Sequence, residues 1–349
     1  MKDLLIKYRS NIVFCTLTLL SVATFMACLF IGSVEIPAEE VLNALSGKAT
    51  TKASWGYIIL QSRLPMAVTA SLAGAALAVA GLLLQTTFQN PLAGPSILGV
   101  STGASMGVAM ITLSAGGLMQ ALFGSFMGEF ITNILGALLG AGLIIVLLIG
   151  FSSFVKNTMM LLIIGILISH LSSSAISLLN FFSSAEEVKT FVVWGLGSYS
   201  AVTLHQLPLF AITTIAVLLL SFTQTKPLNA LLLGERYAKN MGYNMRNLRN
   251  SLLMISGFLT AIVTAYCGPI GFLGLIVPHV ARLMLNSSNH VVLLPATILA
   301  GTFVSLACTL LSVLPSSIGV IPINAITPII GVPIILYLIL NRKRINYFN

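Results

Sequence analysis

Ten apolar runs follow one another along the chain, each near the roughly 17–25 residues that a helix needs to cross a bilayer. They fall near 11–31, 64–88, 97–114, 129–150, 158–180, 192–222, 251–267, 270–286, 291–313 and 323–340. The pattern predicts ten membrane helices. The longest polar interruption is Lys226–Arg249, KPLNALLLGERYAKNMGYNMRNLR, with five basic residues (Lys226, Arg236, Lys239, Arg246, Arg249) against one acid, Glu235. Apolar runs flank it on both sides, so it lies outside the lipid. Helical spacing over Glu235–Met241 is read as placing Tyr237, Ala238 and Met241 on one face, and Gly242 is a natural stop. Asn244 is placed to cap the helix that follows. A short amphipathic helix set across a membrane bundle is a handle for a soluble partner. An ordinary basic cytosolic loop is the alternative.

Charge orients the bundle. An even number of spans puts both termini on one side. With that side cytosolic, the inside segments carry thirteen basic residues and the acids Asp3 and Glu235, a balance of +11. The outside segments carry four basic residues against six acids, a balance of −2. Basic residues belong in cytoplasmic loops, so this asymmetry predicts cytosolic N- and C-termini. The chain of 349 residues is 57% hydrophobic and only 7% charged, which excludes a soluble domain and makes membrane lipid its surroundings. The net charge of +9 is then explained by topology and is no sign of nucleic-acid binding. Residues 1–349 read as a single transmembrane domain. The basic N-terminus imitates a signal peptide, but its apolar run is long for one and lacks a clear cleavage site, so it reads as the first span. Cys15, Cys28, Cys267 and Cys308 all lie in apolar runs without a CxxC pair, and read as packing residues.

Small residues crowd the spans, as in ASLAGAALAVAG (Ala70–Gly81), GVSTGASMG (Gly99–Gly107) and GALLGAG (Gly136–Gly142). They let helix backbones approach closely where hydrophobicity cannot drive association. Proline interrupts three regions: Pro91 and Pro95, Pro269 and Pro278, then Pro322, Pro328 and Pro333. Backbone freed at membrane depth must be buried in protein or face a watery cavity. This favours a transport protein over a passive anchor, with kinks used only for packing as the alternative.

Several chemistries are missing from the sequence. There is no GxxxxGK[ST] loop and no HExxH, and the four histidines are scattered. No catalytic set and no metal-ligating set is recognised. No Asp or Glu falls mid-span, where a proton- or sodium-coupled carrier usually needs one. Energy for transport must then come from elsewhere, and a soluble ATPase docked on Lys226–Arg249 would supply it. The competing class is a stand-alone secondary carrier or channel for a small solute.

A series of motifs carries a resemblance. In order they are Arg63-Leu-Pro, QTTFQNPLAGPSILGVSTGA (Gln85–Ala104), WGLGS (Trp194–Ser198), LLLGERYAKNMG (Leu231–Gly242), GPIGFLGLIVPHVARL (Gly268–Leu283) and IGVPIILYLIL (Ile330–Leu340). The chain resembles, nearly end to end, the FecCD-type permeases: membrane subunits of ABC importers for iron–siderophore complexes, haem and vitamin B12. The resemblance implies an all-α, ten-helix bundle of the type II importer kind. It also implies a second permease subunit with the path between the two, in a homodimer or a close heterodimer, the homodimer being the one expected. Two cytosolic ATPases, which hold the ATP and Mg, and an extracytoplasmic binding protein complete the assembly. No cofactor is expected on this chain.

Residue by residue, the resemblance implies a coupling segment at Leu231, Leu232, Leu233, Gly234, Glu235, Arg236, Ala238, Met241 and Gly242. Asn90 and Leu92 match one cytoplasmic gate, and Asn157 and Thr158 the other. Arg63 matches the arginines that meet carboxylates of the binding protein. Two departures weaken that docking chemistry: Met66 stands where a second basic residue is usual, and SVLPSSIGVIPINAI lacks the usual acid and arginine. Finally, His170, Ser173, Ser174 and Ser177 follow i, i+3, i+4, i+7 spacing and form one polar stripe. It is expected either to line the central path or to form a hydrogen-bonded seam between helices.

Overall fold

The computed structural model describes residues 2–123, 125–155, 158–313 and 320–340, with side-chain surroundings described for all of these except 2–7, 114–132, 158, 338 and 339. The described chain is all-helical. Its helices are α1 (Lys2–Phe30), α2 (Ala38–Leu45), α3 (Ala53–Tyr57), α4 (Leu64–Thr87), α5 (Val100–Phe123), α6 (Ser125–Phe154), α7 (Thr158–Phe182) and α8 (Ala185–Gly195). There follow α9 (Leu207–Phe222), α10 (Thr225–Leu232), α11 (Glu235–Asn240), α12 (Met245–Cys267), α13 (Leu273–Leu285), α14 (His290–Val313) and α15 (Ile323–Leu340). A π-helical turn, Ile58–Arg63, joins α3 to α4.

Six described helical stretches are long and apolar enough to cross a membrane: Tyr8–Phe30, Ala53–Thr87, Asn133–Phe154, Met159–Phe182, Met245–Cys267 and His290–Val313. Leu207–Phe222 and Thr225–Leu232, bent by 50°, make a seventh if taken together. Val100–Leu113, Leu273–Leu285 and Ile323–Tyr337 are apolar but shorter. The ten predicted runs are therefore not ten uniform crossings. Two of the short helices follow broken backbone, at the QNPLAGPSILG and GPIGF segments. The expected run 192–222 also divides, because Gly197 at φ +71° and the short 3-10 turn Tyr199–Ala201 separate α8 from α9.

α4 is the hub. Every residue from Ala73 to Thr87 is buried, and α9, α12, α13 and α14 all pack against it. Its small side chains make this crowding feasible. A Cβ placed on Gly74 would lie 2.3 Å from the Gly301 carbonyl oxygen of α14, and one on Gly81 would lie 1.7 Å from that of Gly274 in α13. The two backbones touch at each crossing, as the Ala70–Gly81 composition leads one to expect. Gly107 and Gly136 bring α5 and α6 together in the same way. Cys28, Cys267 and Cys308 are buried and Cys15 is exposed, all of them free thiols.

Candidate functional site

The segment expected to couple to an ATPase (the coupling segment) is built from α10, α11 and the cap of α12. Gly234, at φ +101°, turns the chain between α10 and α11, and Gly242, at φ +91°, ends α11 where the sequence places its stop. Asn244 caps α12 as expected, its side chain accepting from the N–H groups of Arg246 and Asn247. The facing differs from the expectation. Ala238 is 0% exposed and packs inward, while Leu233, Tyr237 and Met241 are 65%, 48% and 57% exposed. Tyr237 and Met241 stand one turn apart at α11, and Leu233 is exposed at the end of α10 just before the Gly234 turn, with Arg236 and Lys239 also exposed. Ala238 is thus the residue that seats α11 and cannot be a docking contact. Leu231 is also buried, whereas Leu232, Gly234 and Glu235 are half-buried.

The loop in which a gate is expected (the gate loop) follows α4. Gln89 takes a left-handed backbone conformation at φ +45°. Asn90 then folds the chain: its Oδ1 accepts from Leu92 N–H at 2.9 Å, and its carbonyl accepts from Ala93 N–H at 3.1 Å. Leu92 stands exposed at the tip. Of the other expected gate, Asn157 and the Thr158 side chain lie outside the described residues.

Beneath the loop lies a polar cluster that sequence reasoning assigned no role. His279 Nε2 lies 2.7 Å from the Pro91 carbonyl, which can only accept, so the ring donates there. Gln85 Nε2 donates to the Leu275 carbonyl at 3.0 Å, and Arg282 donates to Gln85 Oε1 at 2.8 Å. Gln89 Nε2 donates to the Leu231 carbonyl at 2.9 Å, tying the gate loop to the end of α10. The available signal was the i, i+3 pair of His279 and Arg282 inside an apolar helix, a costly placement that calls for partners.

Deeper in the bundle, a cavity of about 470 Å³ opens between Ser96, Ser101, Thr102 and Ser105, the Pro269–Phe272 break and Asn324. Asn324 staples the break: its Oδ1 accepts from Gly271 N–H at 3.1 Å, and its Nδ2 donates to the carbonyls of Gly195 and Pro269. Glycine suits position 197 because its φ of +71° strains other residues, and a Cβ there would also crowd the Pro269 carbonyl at 3.0 Å. The WGLGS and GPIGF motifs are thus two sides of one joint. At the first turn of α5, the N–H groups of Val100, Ser101 and Thr102 find no acceptor among the described residues, and the Ser101 side chain lines the cavity.

On α7, the side chains of His170, Ser173, Ser174 and Ser177 are all exposed. Ser177 Oγ donates only to the Ser173 carbonyl one turn back, at 3.0 Å. Among the described residues none of the four bonds to another helix, so the stripe is not a seam within this chain.

Arg63 requires a correction. It is 4% exposed, and its guanidinium donates to the carbonyls of Leu29 at 2.8 Å, Phe30 at 2.9 Å and Val34. α1 ends at Phe30 with carbonyls left over, and the planar fork satisfies them. Gly32 makes the room, since a Cβ there would lie 2.5 Å from the guanidinium. Arg63 caps a helix and is not presented to a partner.

An all-helical, multi-pass bundle with broken helices around a cavity, and an exposed segment tied to a loop at one end, defines a membrane permease. The chain belongs to the FecCD transport family, whose profile matches residues 19–341. It is a multi-pass protein of the bacterial cytoplasmic membrane and resembles ABC importer permeases along its length. It is 33% identical over 327 residues to the vitamin B12 import system permease protein BtuC of Klebsiella pneumoniae, covering 94% of this chain and 93% of that one. It is 36% identical over 335 residues to the molybdate import system permease protein MolB of Haemophilus influenzae, covering 94% and 95%. Among solved structures it matches the inward-facing conformation of an ABC transporter assigned to the metal-chelate type. That match has a TM-score of 0.80 at 32% identity and covers 95% of this chain and 99% of that one.

Proposed function

We propose that this chain is the permease half of an ATP-driven importer that moves a large metal chelate (an iron–siderophore complex, haem or a corrinoid) into the cytoplasm. Two copies enclose the path and expose it alternately to either side. The α7 stripe of His170, Ser173, Ser174 and Ser177 lines it, and Leu92 closes its cytoplasmic end. Two ATPase subunits hold ATP and Mg and dock on Leu233, Tyr237 and Met241, and a binding protein delivers the solute outside. The observation that carries this reading is the pairing of these exposed apolar residues with a direct bond from the same segment to the loop that holds Leu92. A stand-alone carrier has no use for such a surface.

A specific observation favours a second solute class, an oxyanion such as the one MolB is named for. The cavity beside α5 is lined by Ser101 and Thr102 at a helix N-terminus, whose N–H groups have no acceptor among the described residues, and by no Asp or Glu, a setting suited to negative charge. Uptake into proteoliposomes holding the permease, its ATPase and its binding protein separates the readings. Cobalamin, a ferric siderophore, haem and molybdate are offered in turn. ATP-dependent accumulation of one of the chelates supports the first reading, and of molybdate the second. Uptake driven by a proton or sodium gradient without the ATPase refutes both.

A further inference from the structure

A second tie joins the coupling segment to the gate and passes through the start of α14. Asn229, in α10, accepts the His290 backbone N–H on its Oδ1 at 2.8 Å, and the same oxygen lies 3.0 Å from His290 Nδ1. Because Oδ1 has no proton to give, Nδ1 carries the ring proton. In the neutral ring Nε2 is then the acceptor; the Thr86 hydroxyl stands 2.9 Å from it and 3.0 Å from the Leu82 carbonyl, so its one proton is shared between the two. Asn229 Nδ2 donates to Asn289 Oδ1 at 2.9 Å, and that oxygen also accepts from Val291 N–H. Asn229 therefore caps α14 from another helix and holds a buried imidazole against the last turn of α4. Thr86 and Gln89 bracket the end of α4, where the gate loop begins. One bonds to His290 and the other directly to Leu231. α10 thus grips the root of the gate loop at two points, one through its middle and one through its C-terminal carbonyl.

We propose that Asn229, with His290, and Gln89 are positioning residues that make the coupling segment and the gate loop move as one body, so that displacement of α10 by the ATPase repositions Leu92. The inference rests on the permease reading above. Hydrogen bonds are directional and lose most of their strength when misaligned. One aligned bond is enough to transmit a displacement, and the structure supplies two that converge on one loop root. Apolar contacts alone would permit α10 to slide over α4, since they are non-directional.

The test needs no knowledge of the solute. Leu92→Cys is placed in a Cys15→Ser background, where the remaining cysteines are buried. The permease–ATPase complex is assembled, and the rate of maleimide labelling at position 92 is compared without nucleotide and after trapping with ATP and vanadate. With both ties intact, the rate is expected to change with nucleotide. In the Asn229→Ala, Gln89→Asn double variant the complex should still co-purify, but the nucleotide-dependent change should be lost. Asparagine tolerates the left-handed backbone at position 89 yet falls short of the Leu231 carbonyl. Thr86→Ser, which keeps the hydroxyl, should retain the response with Gln89→Asn present, while the isosteric Thr86→Val should lose it. A response that survives loss of both ties overturns the proposal alone. No response with both ties intact overturns the gate role of Leu92, and the proposal with it.

Discussion

Replacing Arg63 by alanine separates two roles that the same residue was open to. The structure commits it to capping: three carbonyls, those of Leu29, Phe30 and Val34, lose their donor. A hydrogen bond from a charged donor contributes about 1.5–3 kcal/mol in a soluble protein, and bonds between membrane helices average about 0.6 kcal/mol. Three bonds at the end of α1, where water can reach part of the exposed backbone, fall between those limits. The expected loss is about 2–5 kcal/mol of stability. Thermal unfolding of the purified permease in detergent reads it. Gly32→Ala should reproduce much of the loss with the charge still present, because its Cβ would occupy the guanidinium's place. Affinity for the binding protein, measured on the folded fraction, should change little. If Arg63→Ala unfolds at the wild-type temperature and binds the binding protein ten times more weakly, the capping argument fails and the docking role returns.

Other outcomes follow from the same geometry. Tyr237→Ala should weaken ATPase association about tenfold, near 1.4 kcal/mol, with the fold intact, as read by co-purification. Ala238→Trp should instead unseat α11 and lower thermal stability, since the site has no space. Gly81→Ala drives a methyl into the Gly274 carbonyl and should cost at least about 1–3 kcal/mol in thermal unfolding, whereas Gly142→Ala meets nothing within 4 Å and should be neutral or slightly stabilising. The Glu187 carboxylate is held below the usual carboxylate range by hydrogen bonds from the Ser184 backbone and hydroxyl. A depressed folded value means the support for α8 is present above the ordinary carboxylate pKa and is lost as pH falls through the folded one. Hydrogen exchange of the α8 amides should therefore quicken, relative to its intrinsic rate, on acidification; Glu187→Gln should remove that pH dependence, and Ser184→Ala, which keeps the backbone donor, should only weaken it.

What the sequence decided by itself is local or additive. Apolar composition fixes a membrane protein. The Gly242 stop and the Asn244 cap depend on neighbours two or three residues away, and both stand where they were read. The glycine-rich stretches announced close helix crossings because backbone approach requires small residues whatever the partner. Tertiary structure decided which partner each residue meets. Ala238 and Tyr237 are adjacent in sequence and equally plausible on an amphipathic face; only the packing of α11 onto its own chain buries one and presents the other. Arg63 reads as a surface charge until the carbonyl ends of α1, some 34 residues earlier, are brought to it. His290 and Thr86 are 204 residues apart, and neither carries a pattern that names the other. Buried polar groups in an apolar bundle must find partners. The sequence showed that such partners were required, but which ones were reached depended on how the helices cross, and that is set by contacts distributed over the whole bundle.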